Sequence, residues 1–168
     1  MRVAYLSADQ GIPYAGGKGA SIHVRAITAA IARLGHQVVC FVVRRGEKPQ
    51  PYPGVDLRQV RLEPFMENLA SGLGGLGTSI RQRPLKEREL TGLLLNDAFT
   101  EAVARAHALR PFDLILERSS LWSYAGVRLA RRLEIPCFLE VNAPLPEEQR
   151  RYRGLVLHRL AGALSRRV

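Results

Sequence analysis

A strand that leads directly into a glycine-rich loop is the feature that most constrains this fold. Arg2–Ser7 (RVAYLS) is rich in β-branched and aromatic residues, as strands are. The loop Tyr14–Gly19 follows, and the apolar spacing of Ala20–Leu34 indicates a helix that is ended by Gly35. Gln37–Val43 is a nearly continuous apolar run, typical of a parallel strand covered on both faces. Strand, helix and strand in this order predict a βαβ unit with a right-handed crossover.

The rest of the chain continues to alternate between strands and helices. Further strands are predicted over Asp56–Leu62, Leu114–Glu117 and Cys137–Val141, and further helices over Thr91–Leu109, Leu121–Leu133 and from Glu147 to the end of the chain. This order predicts an α/β fold with a Rossmann-like, doubly wound parallel sheet. Pro64–Glu89 is the exception, because its glycines predict a mobile segment that serves either as a surface loop or as a lid.

The composition indicates a single folded domain. The chain has 168 residues, of which 46% are hydrophobic, and this excludes a disordered segment. Cys40 and Cys137 lie in apolar runs, so we expect buried thiols rather than a disulfide, and two cysteines without clustered histidines do not predict a zinc site. No run reaches the roughly 20 apolar residues of a membrane-spanning helix. The first strand begins directly after Met1, so we expect a cytoplasmic protein without a signal peptide.

The positive charge is concentrated at one end of the chain. The net charge is +10, and six arginines but no acidic residue lie between Arg150 and Val168. Such a segment favours an anionic partner. Peripheral contact of Arg150–Arg167 with the inner face of an anionic membrane is one interpretation, and a solvated helix face is the other. Nucleic acid is not expected as a partner, because only the aromatic residue Tyr152 interleaves with these arginines.

The loop after the first strand is the first candidate binding site, because ligands of open parallel sheets bind beyond the carboxyl ends of the strands. Gly16, Gly17 and Gly19 allow a ligand to approach the backbone, the free N–H groups of the following helix attract an anion, and Lys18 adds a positive charge. The loop matches neither G-x-G-x-x-G nor G-x-x-x-x-G-K-[ST], so neither a dinucleotide site nor a P-loop is predicted. The alternative is that these glycines serve only a tight turn.

The strand predicted over Leu114–Glu117 ends in a second group of polar residues. Glu117, Arg118, Ser119 and Ser120 together offer a carboxylate, a guanidinium and two hydroxyls to a polar ligand. Alternatively, Ser119 or Ser120 caps the next helix, and Glu117 pairs with Arg118 in solvent.

The last predicted strand ends in a third polar group. Strand alternation places Glu140 and Asn142 on the same side. A glutamate at the end of a buried strand is costly unless it is paired or faces a cleft, so Glu140 is a candidate functional residue. His23, in the first turn or two of the first helix, either makes a structural hydrogen bond or contributes to a site.

These segments resemble the amino-terminal half of the retaining glycosyltransferases of family four, which have the GT-B architecture. The resemblance depends on RVAYLS, GGKGASIHV, LGHQVVCFV and ERSSLWSYAGVRLARRLEIPCFLEVNAPLPEE, in this order, and it spans nearly the whole chain. It implies that residues 1–168 form one Rossmann-like domain that mainly holds the acceptor. A carboxyl-terminal domain with an E-x7-E motif, absent from this chain, would bind most of the nucleotide-sugar. Alone, the chain is expected to be an incomplete and inactive fragment.

The resemblance also implies roles for the candidate residues. The backbone of Gly16 and Gly17 would approach the donor's phosphates. The further substrate-binding candidates, identified above from the sequence pattern and not from the resemblance, are Lys18, Gly19, His23, Glu117 and Arg118. Many members place a histidine near the end of the fifth strand, where this chain has Glu140 and Asn142, so these two are cleft candidates without an assigned role. The resemblance implies no metal, and the sequence has no Asp-x-Asp triplet that would predict one; no other cofactor is expected, since the nucleotide-sugar is a substrate. Catalysis would consist of positioning and of stabilising the leaving diphosphate.

Two other functions remain as alternatives. The first is a non-enzymatic nucleotide- or anion-binding module that uses the Gly16–Gly19 loop alone. The second is a basic nucleic-acid-binding domain, which the charge suggests but no recognition motif supports.

Overall fold

The computed structural model describes residues 1–143, 145–152 and 154–166. The strands are β1 (Arg2–Ser7), β2 (Gln37–Val42), β3 (Val55–Gln59), β4 (Leu114–Arg118) and β5 (Cys137–Glu140). The helices are α1 (Gly19–Arg33), α2 (Pro64–Gly75), α3 (Arg83–Leu109), α4 (Ala125–Leu133), α5 (Leu145–Tyr152) and α6 (His158–Ser165). All strand pairs are parallel, and the order in the sheet is β3-β2-β1-β4-β5. The predicted α/β class with a Rossmann-like parallel sheet is therefore confirmed.

Both faces of the central strands are buried, as the apolar runs predict. Tyr5 and Cys40 point to one face and pack with residues of α1, whereas Leu6 and Phe41 point to the other and pack with residues of α3 and α4. Because neighbouring residues of a strand face opposite sides, each apolar strand contributes side chains to two hydrophobic cores, one on each face of the sheet. The helix α1 ends as predicted, with Gly35 at a φ of +81°, a conformation that glycine adopts without strain.

The prediction of a mobile glycine-rich segment over Pro64–Glu89 is wrong. This segment contains α2 and the start of α3, which pack against each other. Gly74 is buried at their contact, where a Cβ would collide with the side chain of Glu87. The glycine thus permits close packing of two helices rather than disorder.

The helix predicted over Leu121–Leu133 is shorter in the structure and begins at Ala125. Its N-cap is Tyr124, and no side chain caps it, so the prediction that Ser119 or Ser120 caps this helix is wrong. The cap prediction failed because several further residues separate the serines from the first helical turn.

The basic end of the chain does not form one continuous helix. The helices α5 and α6 are separated near Gly154, which has a φ of +79°, so the prediction of a single helix is wrong. Arg150, Arg151, Arg159 and Arg166 belong to the described residues, whereas Arg153 and Arg167 lie outside them.

Two further sequence-based expectations concern the cysteines and membrane-spanning helices. Cys40 and Cys137 are free thiols, the first fully buried and the second partly buried. Among the helices of the described ranges, none combines the length and the apolar character needed to cross a membrane.

Candidate functional site

Four side chains converge on the carboxylate of Glu140. Tyr5 Oη donates to Glu140 Oε2 at 3.0 Å, and Asn142 Nδ2 donates to Glu140 Oε1 at 2.6 Å. His23 Nε2 lies 2.8 Å from Glu140 Oε1, and the guanidinium of Arg118 forms an ion pair with the same oxygen. We refer to these five residues as the Glu140 cluster.

The topology of the sheet brings the Glu140 cluster together. Arg118 and Glu140 end neighbouring strands and pair in register, and Tyr5 extends from β1 on the same face. His23 comes from the second turn of α1, which covers this face. The cluster therefore lies where the strand order reverses between β1 and β4, the position at which open α/β sheets bind ligands.

The Glu140 cluster combines the mostly buried ion pair of Glu140 and Arg118 with the accessible imidazole of His23. The side chains of Glu140 and Arg118 are only 15% and 11% exposed, so their ion pair is largely shielded from water. Burial, together with the adjacent charge of Glu140, raises the pKa of Tyr5, which therefore remains a neutral hydrogen-bond donor. His23 is 46% exposed and faces solvent. A ligand at this edge would meet an oriented imidazole and an amide above a fixed ion pair.

The glycine-rich loop is fixed by hydrogen bonds on two sides. Arg25 Nη1 donates to the carbonyl oxygens of Tyr14 and Gly16, the latter at 2.8 Å. The N–H groups of Tyr14 and Ala15 donate to the carbonyls of Arg44 and Arg45 at 2.9 and 2.8 Å. The loop Tyr14–Gly19 thus has a defined conformation between α1 and the end of β2.

The glycines of this loop differ in what surrounds them. A Cβ on Gly16 would lie 2.5 Å from Ser21 Oγ, whereas Gly17 and Gly19 face open space. Lys18 is exposed and is the N-cap of α1, without a side-chain cap on the first turn. The first N–H groups of α1 are therefore directed toward an accessible edge.

Two buried hydroxyls have no hydrogen-bond partner among the residues that the structure describes, and that of Ser21 lies beside Gly16. Within the described residues, Ser7 Oγ at the end of β1 and Ser21 Oγ in the first turn of α1 accept and donate no hydrogen bond. Buried polar atoms are rarely unpaired, so a water or a polar ligand is the expected partner.

Glu117 does not belong to the Glu140 cluster. It points to the opposite face of β4 from Arg118 and is 1% exposed. Ser123 Oγ donates to Glu117 Oε1, and the N–H of Gly126 donates to Oε2 at 3.1 Å. The alternative that Glu117 pairs with Arg118 in solvent is wrong, because strand alternation separates the two side chains.

The buried carboxyl of Glu117 makes the stability of the fold depend on pH. Burial raises its pKa, although the hydrogen bonds from Ser123 and Gly126 oppose this. Because the folded-state pKa lies above the unfolded value, its contribution is most favourable at low pH and is lost as the pH rises through the folded-state pKa. We expect Glu117→Gln to remove this loss, measured as the change in unfolding free energy between pH 5 and pH 8 in urea. An unchanged pH dependence in this variant would contradict the assignment.

Tyr5 and Arg25 were not predicted as site residues. A tyrosine inside an otherwise apolar strand, and an arginine two residues after His23 on a predicted helix, were the available signals. Neither signal is specific, because their partners Glu140 and Gly16 become neighbours only in the folded sheet.

No protein-family model matches the chain, and no curated protein is significantly similar to it. Among solved structures, the C-terminal domain of a hydrogenase from Pyrococcus furiosus is similar at 13% identity, over 83% of this chain and 90% of its own length, with a TM-score of 0.49. Apo UGT2, a glycosyltransferase from Phytolacca americana, is similar at 14% identity, over 82% of this chain and 28% of its own length, with a TM-score of 0.49. These likenesses do not specify a reaction or a substrate.

Proposed function

We propose that this chain is the acceptor-side domain of a retaining glycosyltransferase that uses a nucleotide-sugar donor. The observation on which the proposal depends is the Glu140 cluster, which joins β1, β4, β5 and α1 at the sheet edge where the glycine-rich loop also ends. The sequence resemblance to family four supplies the reaction class, and the sheet brings suitable polar groups together at one edge.

The glycine-rich loop and the Glu140 cluster have different roles in the proposal. At the start of α1, backbone N–H groups and Lys18 stabilise the charge that develops on the leaving diphosphate. Open space above Gly17 lets that group approach the backbone. The sugar and the acceptor hydroxyl lie at the Glu140 cluster, next to His23 and Asn142.

His23 is the residue of the cluster best placed to contact substrate. Its ring is half exposed, and its Nε2 contact with Glu140 fixes the orientation of the imidazole. The other ring nitrogen is left to hydrogen-bond a sugar or acceptor hydroxyl. Glu140, Arg118 and Tyr5 act as positioning residues, because their polar atoms are engaged with one another.

The test uses the polypeptide that joins this chain to its donor-binding domain. It is incubated with a panel of UDP-, GDP- and ADP-sugars, and the released nucleoside diphosphate is measured with and without candidate acceptors. We expect His23→Ala to lower turnover about 100-fold, since removing a group that contacts the transition state has effects of this size. His36→Ala is the matched control, because His36 immediately precedes β2, at the amino end of the strands and therefore opposite the end where the Glu140 cluster lies. Absence of turnover with every donor, or equal turnover in His23→Ala, would reject the proposal.

The alternative is a non-enzymatic nucleotide- or anion-binding module. The fixed glycine-rich loop and the unpartnered Ser21 hydroxyl favour this alternative, because neither feature requires residues from another domain. Calorimetric titration of the isolated chain with UDP, GDP and ADP separates the two functions. Tight binding by the isolated chain, without turnover by the joined polypeptide, would favour the module.

A further inference from the structure

We propose that a cleft lined by Arg44, Arg61 and Arg88 binds the anionic group of a phosphorylated acceptor. The identification of the ligand as an acceptor rests on the proposed function. The affinity for an anion follows from the residues of the cleft itself.

The cleft is formed at the carboxyl edge of the sheet, on the face covered by α3. Its volume is about 700 Å³, within the range of roughly 300–1,000 Å³ that is typical of small-molecule sites. The loop after β1, the ends of β2 and β3, and the helices α2 and α3 all contribute to its walls. The polar side chains that matter here are those of Gln10, Arg44, Arg61, Glu67, Arg88 and Thr91.

The three guanidiniums of this cleft are poorly compensated. Among the described residues, the partner of Arg61 Nη2 is the neutral Gln59 Oε1 at 3.2 Å. Arg88 Nη2 lies 3.9 Å from Asp9 Oδ1, the outer limit of an ion pair. In the parts of the chain that the structure describes, the guanidinium of Arg44 has no side-chain or backbone partner.

Among the described residues that line the cleft, Glu67 supplies the one carboxylate beside these three cations. Like charges that face the same space repel each other, and a bound anion offsets this repulsion by attracting each of the cations. Arginine is also the side chain whose planar donors best match the oxygens of a phosphate.

The walls of the cleft also carry groups that can contact the part of a ligand to which the phosphate is attached. The hydroxyl of Thr91 can donate to a phosphate oxygen. Gln10 also lines the cleft, and its Nε2 donates to the Arg88 carbonyl at 2.9 Å, which leaves its Oε1 able to accept from a ligand hydroxyl. Val43, Leu62 and Leu95 form an apolar portion of the lining. A phosphate attached to a sugar or polyol ring fits this combination better than a free ion does.

The cleft adjoins the glycine-rich loop. The carbonyl of Arg44 accepts the N–H of Tyr14 at 2.9 Å, so the residue that lines the cleft is hydrogen-bonded to the first residue of that loop. A ligand held by its phosphate at Arg44 therefore lies next to the edge where donor phosphates are proposed to bind. This proximity is the reason for assigning the anion to a substrate rather than to an unrelated site.

The test measures binding to the 168-residue chain by calorimetry and by chemical-shift changes. The probes are glycerol 3-phosphate and inositol 1-phosphate, with glycerol and inositol as neutral counterparts. We expect the phosphorylated probes alone to bind, and Arg44→Gln and Arg61→Gln each to weaken binding about tenfold, the loss typical of one charge-assisted hydrogen bond. Arg132→Gln is the matched control, because Arg132 is exposed on α4, outside the residues that line the cleft, and its loss changes the net charge equally.

A parallel measurement distinguishes a soluble phosphate from a lipid headgroup. Vesicles of phosphatidylcholine, with or without phosphatidylinositol, are sedimented with the chain and its variants. Binding that is confined to phosphatidylinositol vesicles and is weakened by Arg61→Gln but not by Arg132→Gln identifies a lipid acceptor; binding of the soluble probes identifies a soluble one.

Two results would overturn the inference. The first is failure of both soluble probes and vesicles to bind, and the second is an equal loss in Arg132→Gln, which would mean that only net charge matters. Neither measurement uses a nucleotide-sugar. Donor turnover without phosphate binding would therefore reject this inference alone, and phosphate binding without donor turnover would reject the proposed function alone.

Discussion

Glu140→Ala is expected to lower the free energy of unfolding by about 3 kcal/mol, the usual cost of removing one partner from a buried ion pair. The variant leaves the guanidinium of Arg118 shielded from water without its carboxylate, and it removes the acceptor of the Tyr5 hydroxyl. The same change frees the ring of His23 from its fixed orientation. Urea denaturation followed by circular dichroism measures the effect on the 168-residue chain.

Two further variants separate charge from packing in this cluster. Glu140→Gln keeps the shape and one acceptor oxygen but removes the charge, so we expect an intermediate loss. In Glu140→Ala combined with Arg118→Met, the guanidinium is no longer left unpaired, and we expect a smaller loss than the sum of the two single variants. If Glu140→Ala stays within about 0.5 kcal/mol of the parent protein, as most surface substitutions do, the cluster does not stabilise the fold as proposed.

Gly17→Val is expected to lower nucleotide-sugar turnover about 100-fold in the joined polypeptide while leaving folding intact, a loss comparable to that of removing one stabilising backbone donor. Folding is retained because a Cβ at Gly17 faces open space and its φ lies outside the left-handed region. Turnover is lost because the valine side chain occupies the space through which the diphosphate approaches the backbone. Turnover is measured as released nucleoside diphosphate, and folding by urea denaturation.

Two other glycines provide the comparison for Gly17→Val. Gly72 on α2 also faces open space, so Gly72→Val introduces the same side chain away from the proposed site. Gly16→Ala should instead weaken the fold, because its Cβ would meet Ser21 Oγ at 2.5 Å and Pro13 Cγ at 2.9 Å. Unchanged turnover in Gly17→Val would remove the loop from the mechanism.

The central part of the fold could be predicted from sequence because its signals are local. The strand β1 is apolar on both faces, and it begins and ends at the predicted residues Arg2 and Ser7. The helix α1 differs from its prediction by one residue at each end, since its apolar spacing and Gly35 define it within the segment itself.

The remaining features depend on contacts between distant residues. From sequence alone, Gly74 indicates flexibility. In the structure it is required for the close contact with Glu87 of the next helix. Glu117 and Arg118 are adjacent in sequence, and only the packing of α1 and α4 on opposite faces explains why one is buried with Gly126 and the other meets Glu140. The contact between His23 Nε2 and the carboxylate of Glu140 joins residues of α1 and β5, which no local pattern connects.

The double attachment of the glycine-rich loop has a kinetic consequence. Because Arg25 and the carbonyls of Arg44 and Arg45 already hold Tyr14, Ala15 and Gly16, the conformational entropy of this segment is lost during folding and not during ligand association. An anion should therefore bind in a single step, with a rate that rises in proportion to its concentration and without a slow phase from loop rearrangement. If the proposed transfer has a slower conformational step, we expect that step to arise outside this loop.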